Sequence, residues 1–148
     1  MTRLATAAFA ITVLASMSPA FAGGPRSVVQ DWAAAHEEGG AARAASLYTP
    51  AARVWSVAAP REWVGHAEIG HYLAVFPLGA SRPEFRIDEV VLSPVRDGVA
   101  MATGHCTVVR EQWDGSIAHE GCRFSLTLVQ DEAGMWRIAE QHSSAVPR

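Results

Sequence analysis

The sequence predicts an α+β fold in which three N-terminal helices pack on a curved antiparallel sheet. Helical periodicity is confined to residues 27–76, and four long strand-like runs then follow one another from Glu84 to Ser144. The links between those runs are short, which makes the runs antiparallel neighbours. The chain has 148 residues, a net charge of −3 and 49% hydrophobic residues, which suits one domain with a real core. No charge bias points to nucleic acid, and there is no basic run for a membrane surface.

Residues 1–22 read as a secretory signal peptide. Arg3 supplies a positive start, Leu4 to Met17 an apolar run too short for an ordinary spanning helix, and Ala20-Phe21-Ala22 a small-residue cleavage site. Cleavage after Ala22 leaves a mature domain of residues 23–148, expected in the periplasm or secreted, with no membrane contact.

Ser27 to Glu38 carries an apolar stripe of Val28, Trp32 and Ala35, with Ser27 as N-cap and Gly39-Gly40 as terminator. Ala41 to Tyr48 reads as a second, Ala-rich helix closed by Thr49-Pro50. Arg53 to Ala58 is a short strand. A third helix starts at Val64, with Ile69, Tyr72, Leu73 and Phe76 at helical spacing, and stops at Pro77 and Gly79. The strands Glu84 to Pro94, Val99 to Gln112, Ile117 to Gln130 and Met135 to Ser144 follow. Asp97-Gly98 is a hairpin signal between the first two.

Turn chemistry sets the expected registers. A three-residue loop Trp113-Asp114-Gly115 pairs Gln112 with Ser116 and places Cys106 opposite Cys122; a two-residue Asp114-Gly115 turn would miss by one and turn the side chains to opposite faces. In an exported protein the first register makes a Cys106–Cys122 disulfide, and the alternative is two buried thiols. A two-residue Ala133-Gly134 loop pairs Glu132 with Met135. Arg123 then lies opposite Ser144, and Ser125 opposite His142. Trp136, Ile138, Glu140, His142 and Ser144 would share the face of Arg123, while Phe124, Leu126 and Leu128 form the opposite one. If the helices cover only one face, the Phe124 face needs a second cover, and an isologous homodimer would provide it.

Combining the registers brings Thr103, His105, Arg123, Ser125, His142 and Ser144 together on three adjacent strands. Such a group could bind a carboxylate or enolate oxygen, with Arg123 holding the charge and a histidine exchanging protons. The same pattern also suits a half-buried sheet with a wet rim. Trp32 and Trp55 are candidate walls of an apolar site. Asp31 and Asp88 are acids for which the sequence identifies no partner. His66 and His71 are five apart and share no helix face, so no metal spacing exists, and no cofactor fingerprint is present.

The chain over residues 27–147 resembles the nuclear transport factor 2-like superfamily. That cone-shaped α+β fold is shared by SnoaL-like polyketide cyclases and ketosteroid isomerases. Within it the chain is similar to the bacterial branch of the calcium/calmodulin-dependent protein kinase II association-domain family, also labelled SnoaL-like or DUF4440. The pieces that carry the resemblance are Trp32, Leu47-Tyr48, Gly65-His66-Ala67-Glu68-Ile69 with Tyr72, Thr103-Gly104, and Cys122-Arg123-Phe124-Ser125. They continue with Gly134-Met135-Trp136-Arg137-Ile138 and end at His142-Ser143-Ser144 with Pro147. Gln141 stands where many relatives carry histidine. The resemblance implies a homodimeric module that binds a small apolar or carboxylate-bearing molecule or serves assembly. Its alternatives are a SnoaL- or isomerase-type enzyme moving a proton on an apolar cyclic substrate, and a purely structural oligomerisation domain.

Overall fold

The computed structural model describes residues 23–38, 40–57, 59–75 and 83–147; the expected leader and Phe76 lie outside the described residues. The elements are α1 (Pro25–Glu38), α2 (Ala41–Ala45), β1 (Tyr48–Trp55), β2 (Trp63–Val64), α3 (Gly65–Val75), β3 (Glu84–Arg96), β4 (Val99–Glu111), β5 (Ile117–Gln130) and β6 (Trp136–Ala145). They form one six-stranded sheet in the order β2-β1-β6-β5-β4-β3. The α+β class and the helices-on-sheet arrangement stand as the sequence predicts. The second helix is shorter than expected, because Tyr48 and Thr49-Pro50 open β1, which runs parallel to β6. Pro94 is accommodated because β3 is an edge strand, where a missing N–H leaves no ladder partner unserved.

The β4–β5 register is the expected one. Gln112 N donates to Ser116 O at 2.8 Å, Gly115 takes the left-handed φ of 81°, and Cys106 faces Cys122. The two cysteines are joined as a disulfide with Cα atoms 5.0 Å apart.

The β5–β6 hairpin differs from expectation in a way that cancels halfway along. Its loop holds three residues, since Asp131 N donates to Met135 O at 2.9 Å and Gly134 takes the positive φ. Gln130 therefore faces Trp136, and Leu128 faces Ile138. A β-bulge at Ala139 then restores the predicted register, so that Ser125 faces His142 and Arg123 faces Ser144. Trp136 and Ile138 consequently leave the face on which the sequence placed them, and Ile138 is fully buried with Leu126 and Leu128.

The helices cover the Phe124–Leu126–Leu128 face, with α1 against β3 and β6 and α3 against β1. That face is the core, so its need for a second subunit disappears. Trp32 anchors the packing, with its ring centroid 5.1 Å from Phe85 and 5.2 Å from Phe124. Each fully buried Leu or Ile here contributes about 1.5–3 kcal/mol.

Gly104 marks the tightest point of the sheet. The bulge at Asp88 brings the Glu89 carbonyl oxygen to 2.0 Å, and the Phe124 ring to 2.9 Å, from where a Cβ on Gly104 would sit. Backbone cannot yield as a flexible side chain can. Gly104→Ala should therefore cost about 1–3 kcal/mol, read as a lower midpoint in urea with an unchanged slope; an unaltered midpoint would show that the β3 bulge relaxes freely.

Candidate functional site

The structure brings the predicted polar cluster together and sets it on the face turned away from the helices. Trp55, His142, Ser125, Thr103 and Val91 run across five strands in one row, and Ser144, Arg123, His105 and Glu89 form the next. His105, Arg123 and His142 are exposed, and Thr103, Ser125 and Ser144 are half-buried. Arg123 Nη2 donates to the Ala145 carbonyl at 3.4 Å, and His105 Nδ1 lies 3.5 Å from Glu89. Trp55 stands beside His142, also outside, at 46% exposure. This outer row lines neither of the two cavities described here. The sequence set the cluster's members correctly relative to one another, but which face the helices cover is a tertiary choice.

A cavity opens on the other side, inside the cone, with a volume of about 660 Å³. Of the expected pocket residues it contains Trp32. Its wall comes from Trp32 and His36 of α1, Phe85 of β3, Val108 of β4 and Gln141 and Ser143 of β6. The Cys106–Cys122 disulfide forms part of the same lining. At one side Arg110, with a side chain 17% exposed, donates through Nη2 to Glu120 at 3.2 Å. A second, more open hollow lies between α2 and the β5–β6 loop, where Arg137 bonds Asp131 at 2.8 Å and the Ser46 carbonyl at 2.6 Å.

Trp32 and Gln141 of the cavity wall meet the buried Tyr48 behind it. Trp32 Nε1 lies 3.1 Å from both Tyr48 Oη and Gln141 Oε1, and Tyr48 Oη donates to Gln141 Oε1. Burial pushes the Tyr48 hydroxyl far above its ordinary range, helped by nearby Tyr72 and opposed by the Trp32 hydrogen bond, so it remains a neutral donor.

His36 sits one helical turn after Trp32 and stacks on Phe85 at 4.9 Å. Its Nδ1 is 2.8 Å from the Trp32 carbonyl oxygen. A carbonyl only accepts, so Nδ1 carries the proton and Nε2 has the lone pair in the neutral ring. Burial lowers its pKa, against a smaller raising effect of the Trp32 carbonyl. Asp31, the acid on the same helix, turns to Arg43 at 3.9 Å. Asp88 accepts from Thr107 and Arg86 on the surface. Among the described residues no group of three His, Cys, Asp or Glu side chains is placed to hold a metal, and no helix is long and apolar enough to cross a membrane.

The sequence held signals for the residues missed. The register that pairs Ser125 with His142 also pairs Leu126 with Gln141, setting a polar side chain on an apolar face. His36 continues the Val28–Trp32 stripe at i+4.

A family description, the SnoaL-like domain, matches residues 26–148. The chain belongs to the SnoaL-like domain family. Solved structures share the fold at low identity. A Xanthomonas campestris protein assigned to the calcium/calmodulin-dependent protein kinase II association domain is 21% identical, with a TM-score of 0.74, over 86% of this chain and 95% of that one. A ketosteroid isomerase-like protein from Erwinia carotovora is 17% identical, with a TM-score of 0.69, over 83% of this chain and 94% of that one. ActVI-ORFA from Streptomyces coelicolor is 19% identical, with a TM-score of 0.69, over 81% of this chain and 92% of that one. No curated protein matches the chain. The SnoaL-like chain thus adopts the NTF2-like cone shared with ketosteroid isomerase-like proteins.

The lowered His36 pKa has a definite sign in stability. Between the ordinary histidine value of 6.5 and the lower folded value, the unfolded chain binds the extra proton and the folded chain does not. Stability is therefore full above that ordinary value and falls as pH drops below it. Thermal unfolding from pH 8 to pH 5 should show this loss, and His36→Phe should flatten it. An equally steep decline in the variant would assign the dependence to other groups.

Proposed function

We propose that this SnoaL-like protein is exported and binds a small, largely apolar molecule inside the cone as a homodimer, without chemistry of its own. The observation that carries the reading is the cavity itself. Its volume of about 660 Å³ lies within the range of about 300–1,000 Å³ common for small-molecule sites. Its walls combine aromatic and aliphatic surface with a few polar groups, the composition such sites favour. Export is supported by the Arg3–Ala22 leader pattern and by the cross-strand disulfide, which suits an oxidising compartment. The dimer reading now rests on the outer sheet face. Trp55, Val91 and Met101 are exposed there among side chains of both charge signs, a surface able to match a copy of itself. A purely structural oligomerisation role is the weaker reading, since it gives the cavity no task.

Native mass spectrometry of the protein recovered from the periplasm after expression with its leader tests all three parts at once. The expected mass is twice that of a chain beginning at Gly23, each less the two hydrogens of a disulfide, plus a retained small molecule. Val108→Trp, which fills the cavity, should lose the added mass and keep the rest. A monomer removes the dimer, and an empty cavity in the unaltered protein counts against ligand binding.

His36 favours a second reading, proton transfer on an apolar cyclic substrate. A neutral imidazole in the cavity wall, with its tautomer fixed by the Trp32 carbonyl, is the chemical form a general base needs. The abstracted proton would pass to the imidazole, and the electron pair to the substrate's carbonyl oxygen. Exchange of α-hydrogens of 1-tetralone for solvent deuterium would reveal this. Acceleration lost in His36→Phe supports it, and exchange at the buffer rate leaves binding alone.

A further inference from the structure

The Cys106–Cys122 disulfide stands where the β4–β5 hairpin leaves the sheet. Ile87, Cys106, Cys122 and Ala145 form one rung across β3, β4, β5 and β6. β6 stops pairing there, apart from Val146 N donating to the Gly121 carbonyl at 3.0 Å. β3 follows β4 only as far as Val109, opposite Glu84. Beyond that, among the described residues, the two strands pair only with each other up to the Gln112–Ser116 closure. Val108, Arg110 and Glu120 on this arm form one side of the cavity. The disulfide therefore clamps the root of a cavity wall.

The same bond faces the cavity. Cys106 is 2% and Cys122 6% exposed, and both belong to the cavity lining. Their ladder is unbroken from Val99 to Glu111, so backbone closes them off from the outer face. Thiol–disulfide exchange needs a thiolate to reach one of the sulfurs. In the folded protein that approach runs through the cavity, and a molecule occupying the cavity blocks it.

A small dithiol carries the exchange to completion. One of its thiolates attacks a cysteine sulfur. The bond between the cysteines breaks, and its electron pair leaves on the other cysteine sulfur, which takes a proton. The reagent's second thiolate then displaces the first cysteine, which is protonated in turn. The products are two cysteine thiols and the cyclic disulfide of the reagent, with two electrons passed to the protein. The root of the hairpin is then held by hydrogen bonds alone, and its wall residues lose their fixed setting.

We propose that Cys106–Cys122 is a redox latch on the cavity. An occupied cavity shields the bond from small thiols; an empty one lets them reduce it and loosen the wall that would hold the next molecule. The inference rests on the reading that the cavity binds a small molecule, and it goes beyond it by naming how that binding is regulated.

The test follows reduction of the oxidised mature protein by dithiothreitol, through alkylation and mass. The apolar fluorescent probe N-phenyl-1-naphthylamine, at about ten times its Kd, leaves about one cavity in ten empty and should slow reduction about tenfold. Val108→Trp, which fills the cavity, should slow it several-fold without any probe. Urea well below the unfolding midpoint should leave the rate unchanged. The reduced protein, still folded by circular dichroism, should bind the probe several-fold more weakly. Reduction as fast in folded Val108→Trp as in the unaltered protein, or a rate that climbs with urea, means that thiols reach the bond by opening of the hairpin and overturns the shielding. Equal probe affinity before and after reduction overturns the latch, and so does a reduced chain that unfolds outright, which makes the bond a structural cross-link only. Each of these results leaves the binding cavity standing. Failure of the probe to bind the oxidised protein overturns the cavity reading and, with it, the coupling to a ligand.

Discussion

One extra residue in β6 governs what this sheet can enclose. Strand side chains alternate faces, so Ile138 and Gln141, three apart, should lie on opposite sides. The bulge at Ala139 adds one step and turns both inward. Below the bulge, Trp136 and Ile138 join Leu128 on the helix-covered face; above it, Gln141, Ser143 and Ala145 line the cavity. The bulge also bends the strand and raises its local twist, which helps a sheet curl over its helices. A regular β6 would have sent either the core residues or the cavity residues to solvent.

The same strand supplies the acceptor that joins three distant parts of the chain. Gln141 ties α1 through Trp32 and β1 through Tyr48, where an apolar residue would leave the buried Tyr48 hydroxyl without its acceptor. Trp32 then fixes His36 by helix geometry and packs against Phe85 and Phe124. Cavity and core are one continuous structure, in which Trp32 and Gln141 of the cavity wall are held by the buried Tyr48 hydroxyl behind them. The structural relatives near one-fifth identity show how widely this cone tolerates sequence change. The fold by itself assigns no function, which has to be argued from the side chains it carries.

Alternation, turn residues and terminators made most of the fold legible. The Trp113–Gly115 loop was readable because Gly115 can adopt the left-handed conformation that a three-residue hairpin requires, and the Cys106–Cys122 pairing followed from that register. The Met135 end was less legible. The loop is one residue longer than Ala133-Gly134 suggests, and the bulge at Ala139 compensates, so the far register came out correct by two cancelling irregularities. Nothing in the local sequence marks Ala139 as the residue to be expelled from pairing.

The sequence by itself determined the order of the helices and the long strands and the β4–β5 register, because these depend on local backbone preference and a period of two. It could not determine which face of the sheet the helices would take. Both faces of β5 carry residues that fit a plausible site, and the choice depends on Trp32, Phe85 and Phe124 closing around one another across long sequence separations. Tertiary structure alone placed Arg123 and His142 outside and His36 and Gln141 inside. Burial is a property of the whole packed chain, and a polar residue becomes a site only where packing removes water around it.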